Sequence, residues 1–269
     1  MYSVLTTQLT GATISGLGKG EVHETDEMPS LFDTRRYGTD VEGALTEGEP
    51  FVRLRPRFDR DAACVTLGSN DSGEKDVTSL QIGMVGLGRM GANLVRRLQR
   101  AGHRCVVWDR DPAPGAALAK EGATVAADLP DLVAKLEKPA TVWVMLPSGA
   151  VTEATVQDLG RMLASGDAII DGGNSFWKDD VRRAAALKAT GIDYLDVGTS
   201  GGVWGLERGY CLMIGGPAHV LERLDPIFAA LAPGRGDVPA TLHREGRDPR
   251  VEQGYLHAGP AGAGHFVKM

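Results

Sequence analysis

Leu80-Gln-Ile-Gly-Met-Val-Gly-Leu-Gly-Arg-Met-Gly91 is the stretch whose reading decides the fold. Its first half, Leu80 to Val85, is a short apolar strand that runs into a glycine turn. Gly86, Leu87, Gly88, Arg89, Met90 and Gly91 follow at once, and Met90, Leu94, Val95 and Leu98 then fall on one helical face ending at Gly102. A bare GxGxxG spacing carries little weight, because glycine is common. Between a strand and a helix it gains physical meaning. Gly86 permits the tight turn, Gly88 lets the backbone approach a pyrophosphate, and Gly91 allows close packing of helix on strand. The helix N-terminus offers unpaired N–H groups to an anion. The stretch therefore reads as the mouth of a dinucleotide site.

Outward from this point the pattern repeats. Cys105-Val-Val-Trp108 is a second strand, a helix follows Pro112, and Val125 lies in a short third strand. Thr141 to Leu146 reads as a buried strand, followed by a helix with Val156, Leu159 and Leu163 inward. Ala168-Ile-Ile-Asp171 is the next strand, and the helix after it carries Val181, Ala184 and Ala185. Ile192 to Val197 and Leu212-Met-Ile214 are further strands. One helix with Pro217 in its first turn sets Val220, Leu221, Leu224, Ile227, Phe228 and Leu231 on one side. Strands alternating with helices imply an α/β fold, a Rossmann-type doubly wound sheet, mostly parallel and covered on both faces. The arginine-rich segment Gly234 to Gln253 has no period and is expected to cross the surface before Gly254-Tyr-Leu-His257 returns to the sheet.

Residues 1–79 do not share this pattern. Glycine, proline and Asn70-Asp71-Ser72-Gly73 interrupt them, and little there could bury enough apolar surface to offset the entropy of ordering it. They read as a poorly structured N-terminal extension, or as translation of sequence upstream of a start at Leu80. In the glycine run 16–20, Gly11 and Gly16 are followed by Leu17 where a phosphate loop needs lysine, and no strand leads in.

Bulk properties restrict the remainder. The chain has 269 residues, 42% hydrophobic and 24% charged, with a net charge of -6. That balance argues against nucleic acid or an anionic membrane as partner. Three isolated cysteines, Cys64, Cys105 and Cys211, fit a reducing cytoplasm, and six scattered histidines give no metal-ligand spacing, so no metal is expected. No signal peptide is legible, and the apolar run near Ala140 to Leu146 is too short to span a bilayer.

At the end of the second strand Asp109 lies 18 residues after Gly91. An acid there accepts hydrogen bonds from the adenosine ribose and repels the extra phosphate of NADP, which favours NAD. Arg110, between Asp109 and Asp111, could instead pair with that phosphate, so NAD is the preferred cofactor and NADP the alternative. Three more segments carry polar or glycine signals at strand ends: Leu146-Pro147-Ser148-Gly149, Asp171-Gly-Gly-Asn174-Ser175 and Thr199-Ser200-Gly201-Gly202. Ligands of open α/β sheets bind outside the carboxyl ends of the strands, so these loops are expected to converge on one crevice.

The glycine loop, Asp171 to Ser175, Asp196 to Tyr210, and Gly259-Pro-Ala-Gly-Ala-Gly-His-Phe-Val-Lys-Met269 together resemble 6-phosphogluconate dehydrogenase, in the shorter, often NAD-using branch of that family. The resemblance covers about 190 residues, 80 to 269. It implies oxidative decarboxylation of 6-phosphogluconate and a cofactor domain over 80–257, with 258–269 beginning a helical domain. It also implies a homo-oligomeric complete enzyme. Gly86 to Gly91 and Asp109 to Asp111 would hold the dinucleotide, and Leu146 to Ser148 would line its nicotinamide side. Asn174 would touch both cofactor and sugar acid, and Ser200, Gly201 and Gly202 would grip the carboxylate. Lys268 matches the family's catalytic lysine. The sequence stops at Met269, where family members continue. Lys268 is thus expected to lack a helix holding its angle, and this chain to bind dinucleotide with negligible turnover. Two other readings stay open, a related β-hydroxyacid dehydrogenase of the 3-hydroxyisobutyrate type and a non-catalytic dinucleotide-binding module.

Overall fold

The computed structural model describes residues 79–269, so the expectations for the N-terminal extension lie outside the described residues, Ser79 apart. The strands are β1 (Gln81–Val85), β2 (Arg104–Trp108), β3 (Thr124–Val125), β4 (Thr141–Val144), β5 (Ala168–Asp171), β6 (Asp193–Ser200), β7 (Cys211–Gly215) and β8 (Tyr255–Gly259). They form one sheet in the order β3-β2-β1-β4-β5-β6-β7-β8. Chain direction is parallel from β3 through β6, β7 runs antiparallel to β6, and β8 is parallel to β7. The order reverses at β1, which pairs with both β2 and β4, and a crevice opens there at the carboxyl ends of the strands.

The helices are α1 (Arg89–Arg100), α2 (Pro112–Lys120), α3 (Leu129–Ala134), α4 (Ala150–Met162), α5 (Trp177–Lys188), α6 (Gly205–Arg208), α7 (Ala218–Arg223), α8 (Asp225–Leu231), α9 (Arg250–Gln253) and α10 (Ala263–Lys268). Strand residues alternate between the two faces, as the period of two requires. Ile82, Met84, Trp143 and Ile170 join Leu94, Leu98, Phe228 and Leu231 on one side. Val85, Val142, Val144 and Ile169 join Leu132, Val156, Leu159 and Leu187 on the other. Helices α1 and α8 therefore cover one face, and α3, α4 and α5 the opposite one.

Four local expectations need correction. The strand at Thr141 ends at Val144, and Met145 and Leu146 turn out toward the crevice. The single helix after Pro217 is two, because Asp225-Pro226 starts a new first turn: proline supplies no N–H and fits only there. All six of its apolar residues are buried nonetheless. In α5, Val181 and Ala185 face solvent, and the buried positions are Asp180, Arg183 and Leu187. Finally, the 234–253 segment, otherwise turns and exposed chain, contains the short helix α9.

Candidate active site

Gly86 and Gly91 make the tight turn and the close packing that the loop's spacing implies. Gly86 has φ +95°, and a Cβ there would lie 2.4 Å from the Met145 carbonyl oxygen. A Cβ on Gly91 would lie 1.9 Å from the carbonyl oxygen of Gly86, so helix and loop meet backbone to backbone. Gly88 caps α1, and a Cβ there would meet nothing within 4 Å. Open space beside the N–H groups of a helix start suits an anion.

Asp109 closes the loop from the neighbouring strand. Its Oδ2 accepts the Leu87 N–H at 2.5 Å, and its Oδ1 accepts the Asp111 N–H at 2.9 Å. Asp111 in turn caps α2, accepting the Ala113 N–H at 2.9 Å. Arg110 is exposed beside them. The Leu87 side chain is buried in the core, so this residue can offer the cofactor only its backbone.

The expected loops converge. Gly88, Arg89, Met90 and Gly91, then Leu146, Pro147 and Ser148, line a crevice of about 700 Å3. Asn174, Ser200, Gly201, Gly202 and Lys268 line it too. Gly86, Leu87 and Asp109 to Asp111 do not line it. Met145, Gly172, Gly173 and Thr199 belong to the lining as well, and nothing in their loops' sequence marks them individually. The lining includes the cationic Arg89 and Lys268 and no carboxylate, which suits anionic ligands.

Each lining loop is fixed from below. Thr152 Oγ1 donates to the Pro147 carbonyl at 2.8 Å. The Asp171 carboxylate accepts the Gly173 N–H at 3.0 Å and the Ser175 hydroxyl at 2.6 Å, so the chain wraps around it and leaves Asn174 exposed. The ring of Tyr210 lies under the Ser200–Gly205 turn: a Cβ on Gly205 would be 2.0 Å from its Cε1, and one on Gly201 2.9 Å from its Cδ1.

Lys268 is held, contrary to expectation, by a helix. Asp196 accepts the N–H groups of Gly262 at 2.6 Å and His265 at 2.8 Å, which anchors the first turn of α10 on β6. A Cβ on Gly198 would sit 2.7 Å from Lys268 Cβ, and one on Gly264 would sit 2.4 Å from the Met213 carbonyl oxygen. Small residues on both surfaces thus let α10 lie directly on the sheet. Lys268 Nζ donates to Asn174 Oδ1 at 2.5 Å. Burial pushes the Lys268 ammonium below its ordinary pKa, toward the neutral form a base requires.

A buried polar cluster behind the crevice was not legible beforehand: Asp171, Asp180, Arg183, Tyr194, Asp196 and His265. The one available signal was an acid at the end of an apolar run, as in Ile-Ile-Asp171 and Leu-Asp196, which must find partners inside. Ligand atoms of Asp180, Asp196 and His265 lie within 4.8 Å of one another. All four carboxylate oxygens nonetheless accept protein donors, from Tyr194, His265 and Gly262, so the group is a hydrogen-bond network.

Comparison with known proteins gives a family. The family model for the NAD binding domain of 6-phosphogluconate dehydrogenase matches residues 81–239. An NAD(+)-dependent, decarboxylating 6-phosphogluconate dehydrogenase of Haloferax volcanii is 40% identical over 190 residues, 71% of this chain and 57% of the relative. Among solved structures, Plasmodium falciparum 6-phosphogluconate dehydrogenase, known apo, with NADP+ and with 6-phosphogluconate, is 25% identical with a TM-score of 0.61, over 70% of this chain and 38% of that one. Mycobacterium tuberculosis 3-hydroxyisobutyrate dehydrogenase with L-serine is 28% identical with a TM-score of 0.58, over 71% and 58%. The chain thus spans less than three fifths of the length of these relatives. Among the described residues no helix is long and apolar enough to cross a membrane.

Proposed function

This chain belongs to the 6-phosphogluconate dehydrogenase family through its NAD-binding domain, and from that premise we propose that it serves the oxidative decarboxylation of 6-phosphogluconate with NAD as the preferred dinucleotide. The observation that carries the reading is the meeting of Lys268, Asn174 and the Ser200–Gly202 turn with the glycine loop in one crevice. The open space at Gly88 and the start of α1 fit a diphosphate, and Met145 and Leu146 give an apolar wall for a planar ring. A bound nicotinamide supplies an acceptor for hydride.

The residues of the chain account for the rest. In 6-phosphogluconate the C3 hydroxyl is β to the carboxylate. Neutral Lys268 takes the proton of that hydroxyl as the O–H bond electrons become the second C–O bond and hydride leaves C3. The protonated lysine then donates to the new ketone, and Asn174 Oδ1 accepts a second ammonium proton and holds its direction. Ser200 and the N–H groups of Gly201 and Gly202 orient the carboxylate, whose C–C electrons pass to the ketone as carbon dioxide departs. The absence of acid from the crevice lining avoids repulsion of the substrate.

The likeness to a 3-hydroxyisobutyrate dehydrogenase supports a second reading, a smaller β-hydroxyacid as substrate. Calorimetric titration of the NAD-loaded protein with each acid separates the two. Saturable 6-phosphogluconate binding, lost in Ser200→Ala with Asn174→Ala, is the expected result. Binding of 3-hydroxyisobutyrate alone would replace the first reading with the second. Dinucleotide binding with neither acid would leave a nucleotide-binding module.

A further inference from the structure

Lys268 and Asn174 belong to different elements, yet one buried cluster reaches both. Asn174 precedes Ser175, whose hydroxyl donates to Asp171 Oδ2 at 2.6 Å. Lys268 follows His265 by one turn of α10, and His265 Nδ1 lies 2.8 Å from Asp180 Oδ2 on α5. Arg183 joins the two anchors, with Nη1 3.0 Å from Asp171 Oδ2 and 3.6 Å from Asp180 Oδ1. Tyr194 donates its hydroxyl to Asp180 Oδ1 at 2.8 Å. None of Asp171, Ser175, Asp180, Arg183, Tyr194 and His265 is more than 3% exposed.

We propose that His265 and Asp180 are a positioning pair: they lock the turn of α10 that carries Lys268 onto α5, and through Arg183 and Asp171 onto the Asn174 loop. Lysine and asparagine are thereby set as one unit. The proposal rests on the reading of Lys268 as the base. It extends that reading to two residues that touch neither substrate nor cofactor.

Geometry and charge both support it. His265 Nε2 is buried with no partner among the described residues, so the ring is held from one side only, by Asp180. The charges acting on the ring are Asp180 from α5, Asp171 from β5 and Asp196 from β6, and Arg183 and Tyr194 bear on Asp180 Oδ1. Lys268 is on its own helix, and Glu153 of α4 approaches through Arg183 at 2.8 Å. Asp171 and Asp180 share Arg183, which also serves Glu153, and an imidazolium offsets the negative charge left in this buried place. Burial opposes protonation of His265, but the hydrogen bond to Asp180 and the charges of Asp180, Asp171 and Asp196 outweigh it and hold its pKa above the usual value.

The test reads Lys268 itself, without turnover. Wild type, His265→Gln and Asp180→Asn are acylated with acetic anhydride across a pH series, and labelling at Lys268 is quantified by mass spectrometry against the exposed Lys120 and Lys178. In wild type, labelling of Lys268 should begin at lower pH than at the reference lysines. In both variants its midpoint should move toward theirs by about half a pH unit or more, as the side chain gains solvent. A folded variant with an unchanged midpoint overturns the proposal. Titration with NADH runs in parallel: its failure in wild type would sink the functional reading, whereas an unchanged labelling profile sinks only the positioning pair. Should neither variant fold, the imidazole nitrogens of wild-type His265, observed by NMR near pH 7, decide. A proton on Nδ1 shared with Asp180 supports the pair, and an Nδ1 that carries no proton overturns it.

Discussion

The carboxylate of Asp109, at the end of β2, accepts the backbone N–H of Leu87 inside the glycine loop at 2.5 Å. The acid proposed to read the ribose therefore also braces the glycine loop. Asp109→Ala should weaken NAD and NADP binding together, because a charge-assisted bond of about 1.5–3 kcal/mol is lost from the loop. Asp109→Asn removes the charge and keeps an oxygen for Leu87. It should narrow the preference for NAD over NADP by about tenfold, an interaction of about 1.4 kcal/mol. Fluorescence titration with both reduced dinucleotides measures each effect. Tighter NADP than NAD binding by the unaltered protein would reject the preference.

Gly88 and Gly91 separate binding from folding. Gly88→Ala adds a methyl group to open space, so the melting temperature should stay near that of wild type while dinucleotide affinity falls. Gly91→Ala drives a Cβ to within 1.9 Å of the Gly86 carbonyl oxygen. It should cost about 1–3 kcal/mol or more of stability as helix and loop are forced apart. Thermal unfolding beside ligand titration distinguishes them, and equal losses of stability would contradict the packing described.

Lys268→Met keeps the aliphatic stem and removes the base. Dinucleotide affinity should remain within about twofold, since the glycine loop is untouched. Any turnover of 6-phosphogluconate by the protein should fall roughly 10²–10⁴-fold, the range for a lost general base. With a lysine pKa lowered by burial, the rising limb of kcat/KM should lie below the pH of an ordinary lysine. Undiminished turnover in the variant would remove Lys268 from the chemistry.

Glu153 gives the fold an acid-sensitive element. Its carboxylate accepts bonds from Arg182 and Arg183, principally Arg182, and these hold its pKa at about 2 against an ordinary 4.5. A carboxylate depressed in the folded state favours folding above its unfolded pKa and loses that contribution as pH falls toward the folded one. Stability should thus decline between pH 4.5 and about 2, with a shallower decline in Glu153→Gln. Urea unfolding at several pH values checks this, and identical slopes would show that the bonds contribute nothing.

What the sequence disclosed follows from which residues face water and which do not. Leu80 to Gly91 was legible because an apolar strand, three spaced glycines and an amphipathic helix all state one conformation. The convergence of four loops followed from the parallel order of β1, β4, β5 and β6, which sends their carboxyl ends the same way. Asp180 and Arg183 were illegible for the converse reason. Charged residues on a helix normally mark its wet face, yet here they are its buried face, satisfied by Asp171, Tyr194 and His265 from three other elements. Only the folded arrangement shows those partners. The break at Asp225-Pro226 was hidden by an apolar period that continues across it, since both short helices bury the same side. Lys268 could be assigned only by resemblance. What anchors the first turn of its helix, Asp196 bonded to Gly262 and His265, lies about 70 residues away in the chain.

The most direct measurement is titration of the purified protein with NADH, followed by nicotinamide fluorescence and repeated with Gly88→Val. A dinucleotide seated against the start of α1 predicts saturation at one site in wild type and loss of it in the variant, with both proteins folded. A folded wild-type core that shows no saturable association with NADH, or a Gly88→Val protein that binds it undiminished, would contradict the account.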